Sequence, residues 1–310
     1  TALSDRAIDI CKSILTSNPK YAQAYANIAI LYRIKASYKL NRGKNPEEEV
    51  LQGLENAKQA LQLNPKLATA YLETSFLRWI GAYYKFYVGE DPSQAVAASL
   101  EEAQKSININ PNDFTAYLNS ALNYSLMANY QVDIQKSPAI TVKNGLNFIR
   151  EAEKINPSFS MSWTVEGRLL LAQARWELEN NISAEGTFKK ALATIERARE
   201  LNSNDADIFS ILAEYYRWHA VWLSKKSKDP TKEVESGLEA VERGLAINKN
   251  FGELHLTKSA LYLIEAGFAK DTKLAEQSLK AAQKAVEANP ALERKVKPIR
   301  ESAQHLLTSQ

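Results

Sequence analysis

Few residues in this sequence could do chemistry, and their spacing limits what that chemistry could be. Asp207 and Glu214 stand two turns apart on one helical stripe, so both carboxylates would face the same side. Such a pair is the equipment of glycoside hydrolysis, where one carboxyl group serves as acid and the other as base or nucleophile. The three histidines, His219, His255 and His305, fall in separate helical stretches and form no metal-ligand set at helical spacing. The single cysteine, Cys11, excludes an intrachain disulfide and a cysteine zinc cluster, and it fits a small core position better than a nucleophile. No Gly-rich phosphate loop, His-Glu-x-x-His or nucleophile elbow occurs. The expectation is a chain with no cofactor, no metal and no catalytic residue.

Other residues are suited to binding. Phe76, Trp79, Tyr83 and Leu122 would form an apolar floor, while Arg168, Arg175 and Arg217 with Glu214 would form a charged one. Exposed aromatics are frequent binding hot spots, and a guanidinium makes a forked contact with carboxylate or phosphate. The competing reading is structural. Phe76, Trp79 and Tyr83 could be buried between turns, and Arg168 and Arg217 could pair with Glu214 and Glu166. Lys and Arg (39) nearly balance Asp and Glu (36), and no basic block interleaves with aromatics, so a nucleic-acid partner is not expected. No apolar run approaches the ~18 residues of a membrane span. The chain opens on Thr1 with no signal-peptide pattern, which suggests a segment of a larger protein.

The elements that must position these side chains are set by an internal repeat. Asn recurs at 18, 64, 110, 156, 202 and 248, every 46 residues, and again at 289 after a shortened spacing of 41. Pro follows it in five of the seven copies. Six residues past each Pro site stands a ring (Tyr25, Tyr71, Tyr117, Trp163, Phe209, His255), then a small residue (Ala29, Ser75, Ala121, Gly167, Ala213, Ser259). An invariant Ala column follows (Ala36, Ala82, Ala128, Ala174, Ala220, Ala266), then a second ring column (Tyr38, Tyr84, Tyr130, Trp176, Trp222, Phe268). Offsets of 0, 4, 7 and 11 lie on one stripe of a helix, here helix A, of about 20 residues or roughly 30 Å.

Breaks at Asn45-Pro46, Asp91-Pro92, Ser137-Pro138 and Asp229-Pro230 read as an N-cap followed by Pro at the first helical position. Gly43 and Gly89 suit the end of helix A. The next segment is helix B, with a small column (Gly53, Ser99, Gly145, Ala191, Gly237, Ser278) beside an all-Leu one. The boundaries are a half repeat 1–18, full repeats 19–64, 65–110, 111–156, 157–202, 203–248 and 249–289, and a capping helix 290–310.

These residues resemble the tetratricopeptide repeat (TPR): Tyr25, Ile28, Ala29 and Tyr32 match its helix A signature, and Gly53, Ala57, Ala60 and Pro65 its helix B signature. The resemblance covers nearly the whole chain, with 12 additional residues between the two signatures. It implies an all-α, right-handed superhelical solenoid of antiparallel helix pairs, and a protein or peptide partner held on the concave face that helix A lines. Taking Tyr25 as zero, offsets −2, +1, +5, +8 and +12 fall on that face, with Tyr87 a turn further on. A narrower resemblance, from Ala82-Tyr83-Tyr84 through Gly89-Glu90-Asp91-Pro92, is to the helical region of bacterial serine/threonine protein kinases. It implies a regulatory or sensory module. The alternative is a closed α/α toroid with glycoside activity, using Asp207 and Glu214.

Overall fold

The computed structural model describes residues 2–308, and among them every regular element is helical. The helices are α1 (Ala2–Ser17), α2 (Ala22–Leu40), α3 (Glu47–Leu63), α4 (Ala68–Val88), α5 (Ser93–Ile109), α6 (Phe114–Asp133) and α7 (Ala139–Ile155). They continue with α8 (Ser160–Glu179), α9 (Glu185–Leu201), α10 (Ala206–Lys225), α11 (Thr231–Ile247), α12 (Gly252–Ala269), α13 (Thr272–Ala288) and α14 (Glu293–Thr308). A 3-10 turn, Pro290–Leu292, leads into α14. Helices A are the even-numbered elements and helices B the odd ones, so α14 stands where a further helix A belongs.

Three local devices, each repeated, cut the chain into these lengths. The first is the Asn column. Its backbone N–H closes helix B, as Asn64 does on Ala60 at 2.8 Å, while its side-chain oxygen accepts from the amide two residues on. Asn110, Asn202, Asn248 and Asn289 accept in the same way, from Asn112, Asn204, Asn250 and Ala291. This is an Asx turn, a conformation that Asn stabilises better than most residues. The second device starts helix B. Asn45, Asp91 and Asp229 accept from the amides of Glu47, Ser93 and Thr231 at 2.8–2.9 Å, across a Pro whose missing N–H leaves no bond unmade. Asp271 does the same for Lys273 without a Pro.

The third device ends helix A. Gly43 and Gly89 take positive φ (62° and 87°), and so do Gln135, Asn181 and Ser227 in the same column, with Lys270 in the shortened repeat. The following residue donates back five positions, as Glu90 does to Lys85 and Lys228 to Leu223, which is a Schellman closure. All the signature positions of Gly89-Glu90-Asp91-Pro92 are therefore occupied in building one helix stop and one helix start.

Packing follows from the small columns. The invariant Ala column is at most 1% exposed throughout. Ala82 lies against Phe86, Val96 and Leu126, so it joins a helix A to its own helix B and to the next helix A. Where the facing small columns both carry Ser, each hydroxyl bonds the other's backbone carbonyl: Ser75 with Ser99 at 2.7 Å, and Ser259 with Ser278 at 2.8 Å. Where one column carries Gly, the next repeat presses in. A Cβ on Gly53 would lie 2.7 Å from Leu77, and one on Gly244 would lie 2.6 Å from Leu254.

The helices form two compact units, Thr1–Gln131 with Lys143–Pro157 and Val132–Val142 with Ser158–Gln310. Inside each, a helix packs on its neighbours in sequence and helices A also lie side by side, α2 on α4, α8 on α10, α10 on α12 and α12 on α14. Each unit is thus a TPR-like α-solenoid of antiparallel helix pairs.

Candidate binding faces on the helices A

In the first unit the aromatic residues expected on the face, Phe76, Trp79 and Tyr83, are half-buried. The rings of Trp79 and Tyr83 lie 5.2 Å apart, and Tyr83 meets Tyr87 edge-on at 4.9 Å. Both Trp79 and Tyr83 rest on the Ala82–Phe86–Val96–Leu126 core, while Phe76 rests on Leu72, Ile107 and Ala116. Leu122 is half-buried on α6. The Arg33 guanidinium lies 5.0 Å from the Phe76 ring centre and donates to Glu73 at 2.6 Å. Burial pushes the Glu73 carboxyl above its ordinary pKa, and Arg33 offsets only part of that.

Two expectations need correction here. The +1 column does not line the face: Ala26 (0%), Leu72 (6%), Leu118 (5%), Thr164 (0%) and Ser210 (7%) are all buried. Ala26 packs against Ala60 of α3 and Ala70 of α4, so this column is the seam between adjacent repeats. Tyr87, expected on the face, is 5% exposed and belongs to the core.

In the second unit the guanidiniums expected on the face are paired with carboxylates. Arg168 bonds Asp207 at 2.8 Å, across from one helix A to the next, a partner that the sequence reading did not name. Arg175 bonds Asp133 and Glu179, both at 2.8 Å. Burial works against the Arg175 charge, but the two carboxylates outweigh it and its pKa is raised. Arg217 holds Glu214 at 3.0 Å, the pairing expected from the sequence, and Thr257 donates to the same carboxylate at 2.6 Å. Burial pushes Glu214 up, yet Arg217 and Thr257 together hold it below the usual carboxylate range. Asp207 and Glu214 are therefore each committed to an arginine.

The sequence reading missed Trp218 and Asp133. Trp218 lies between two guanidiniums, Arg217 at 4.3 Å and Arg175 at 5.1 Å from its ring centre. Its position nine residues past Phe209, beside Arg217 at offset +8, was the available signal. Asp133 closes α6 and was assigned to no face. His219 stacks between Tyr215 (5.6 Å) and Trp222 (5.1 Å), and His255 faces the Lys249 carbonyl at 3.2 Å. Among the described residues no group of His, Cys, Asp and Glu could hold a metal ion, and no helix is long and apolar enough to cross a membrane.

No protein-family model matches the sequence, and no curated protein matches it either. Solved structures do match in fold. A chain of the APC/C hetero-tetramer Cut9–Hcn1 aligns over 97% of this chain and 46% of its own length, at 10% identity and a TM-score of 0.61. Yeast Tom70 aligns over 97% of this chain and 58% of its own, at 11% identity and a TM-score of 0.52. TTC0263, a thermophilic TPR protein of Thermus thermophilus, aligns over 70% and 92%, at 18% identity and a TM-score of 0.46.

Proposed function

We propose that this chain is a protein-interaction scaffold, and that a segment of a partner protein docks along the faces of its helices A. The observation that carries the reading is the half-buried aromatic set Phe76, Trp79 and Tyr83 on α4 of the first unit, with Leu122 likewise half-buried on α6. Rings held by a core beneath them offer apolar area at little entropic cost, which is what a docking surface needs. Arg168, Arg175, Glu214 and Arg217 form the charged part of the proposed surface on the second unit. Because those arginines already hold carboxylates, an acidic partner there competes with the internal ones. The setting we infer from the Gly89–Pro92 stretch is a regulatory or sensory module of a larger bacterial signalling protein, such as a serine/threonine kinase.

The test compares proteins captured from the source lysate by the wild type, by Trp79→Ala and Tyr83→Ala, and by Lys58→Ala, a control on the exposed side of α3. Partners retained by Lys58→Ala and lost by both ring variants are the expected outcome. A ring at a hot spot contributes about 2 kcal/mol or more, so the loss should be roughly 30-fold or greater and should vary little with salt. Identical capture by all four proteins would remove the aromatic face from consideration.

A further inference from the structure

The face of the second unit is met by the chain's own last helix. The turn before α14 is seated against α12. A Cβ on Gly252 would lie 2.8 Å from Asn289 and 3.0 Å from Leu292, so only glycine lets that turn approach so closely. Leu292 and Val296 are fully buried, and α14 packs on both α12 and α13. This anchoring brings Arg294 and Lys295, on the first turn of α14, toward the charged floor. Arg294 reaches Asp133 at the end of α6, 3.7 Å away and far off in sequence. Lys295 lies within the field of Asp133, Glu214 and Glu253, with the Arg175 guanidinium opposing it. Burial disfavours its charge and its pKa is lowered, despite those carboxylates.

The floor that α14 meets carries surplus negative charge. Asp133, Glu179, Glu214 and Glu253 outnumber Arg175 and Arg217, and the two cations of α14 offset the difference. The turn that carries them also lacks one helical bond. Pro298 lies within α14, and lacking an N–H it cannot close the helical bond to the Arg294 carbonyl.

We propose that α14 is a resident occupant of this face, with Arg294 and Lys295 standing where a partner's Lys or Arg side chains stand when it binds. The inference rests on the reading of helix-A faces as the binding surface. It commits the second unit to a basic partner segment, and it makes displacement of α14's first turn the regulating step.

The experiment uses the full chain and two fluorescein-labelled probes, a tetra-arginine and a tetra-glutamate peptide, at low salt. The wild type should bind the arginine peptide weakly, and Arg294→Ala with Lys295→Ala should bind it about tenfold more tightly. Adding Asp133→Asn should abolish that gain. Lys12→Ala with Lys58→Ala, the same charge change on exposed positions of the first unit, should show none. Arg294→Gln alone, at a side chain 47% exposed, gives a smaller gain with little risk to folding. Failure of both α14 variants to gain overturns the proposal, as does an equal gain with the control pair or a gain for tetra-glutamate. Trp79→Ala should leave arginine-peptide binding unchanged, so failure here is separable from failure of the aromatic face.

Discussion

At the scale of single residues, the most informative column is the one that ends each helix A. Only two of its members are glycine, although all adopt positive φ. A β-carbon in that region is strained, so Gln135→Gly and Ser227→Gly should each stabilise the protein by roughly 0.5–1 kcal/mol. Gly89→Ala should cost about the same. Thermal unfolding of the three variants checks this, and a lowered midpoint for the first two would show that those side chains stabilise the turn through other contacts. Glu73 supports a pH prediction. Its folded pKa lies above the unfolded value because burial outweighs Arg33, so the native state holds its proton to higher pH. Its contribution is therefore full below the ordinary carboxylate pKa and is lost as pH rises through the raised value. Glu73→Gln keeps a neutral side chain at every pH, so the variant should gain on the wild type as pH rises from about 4 to 7. Parallel denaturation profiles would show that burial is not what governs this carboxyl.

At the scale of elements, the columns of small residues decide how closely helices approach. Ala82→Leu should overpack the contact with Val96 and Leu126 and cost about 1–3 kcal/mol. Ser99→Ala is a gentler change, because Ser75 keeps its bond to the Ser99 carbonyl and Gly or Ala fills this column in other repeats. It should cost no more than about 1 kcal/mol, the net worth of one hydrogen bond. Chemical denaturation separates the two cases, and a Ser99→Ala cost matching that of Ala82→Leu would mean that the hydroxyls, not the spacing, hold the crossing. The same logic explains why the +1 column left the binding face. Ala26 and Leu72 stand where the next repeat arrives, and a neighbour's contact outranks the periodicity of a single helix.

At the scale of the whole molecule, helix packing runs between neighbours along the chain, with Arg294 to Asp133 a longer reach, so disturbance in α4 should remain local. Hydrogen exchange of Ala82→Leu should show amides of α4, α5 and α6 losing protection well before those of α11 to α13. Uniform loss along the chain would mean that the solenoid unfolds as one cooperative block. The two units divide the proposed labour. The first presents rings backed by a core, and the second presents a charge network in which every arginine of the floor already holds a carboxylate.

The sequence by itself determined where each helix starts and stops, because those decisions are local. An Asn accepting from the amide two residues on, an Asp or Asn ahead of a Pro, and a residue at positive φ act within a few positions, and the repeat multiplies each signal. It also determined the packing stripe, since the Ala column must be small wherever two helices cross. The half-burial of Phe76, Trp79 and Tyr83 follows from the same period, which sets them beside the Ala stripe. Only the tertiary structure decided which charges meet. Arg168 choosing Asp207, Arg175 choosing Asp133 and Arg294 reaching that same Asp133 are choices between helices, and the separation of two side chains on different helices depends on the rotation between repeats. No periodicity within a helix encodes that rotation; it is set by how the small columns let neighbouring repeats settle against each other.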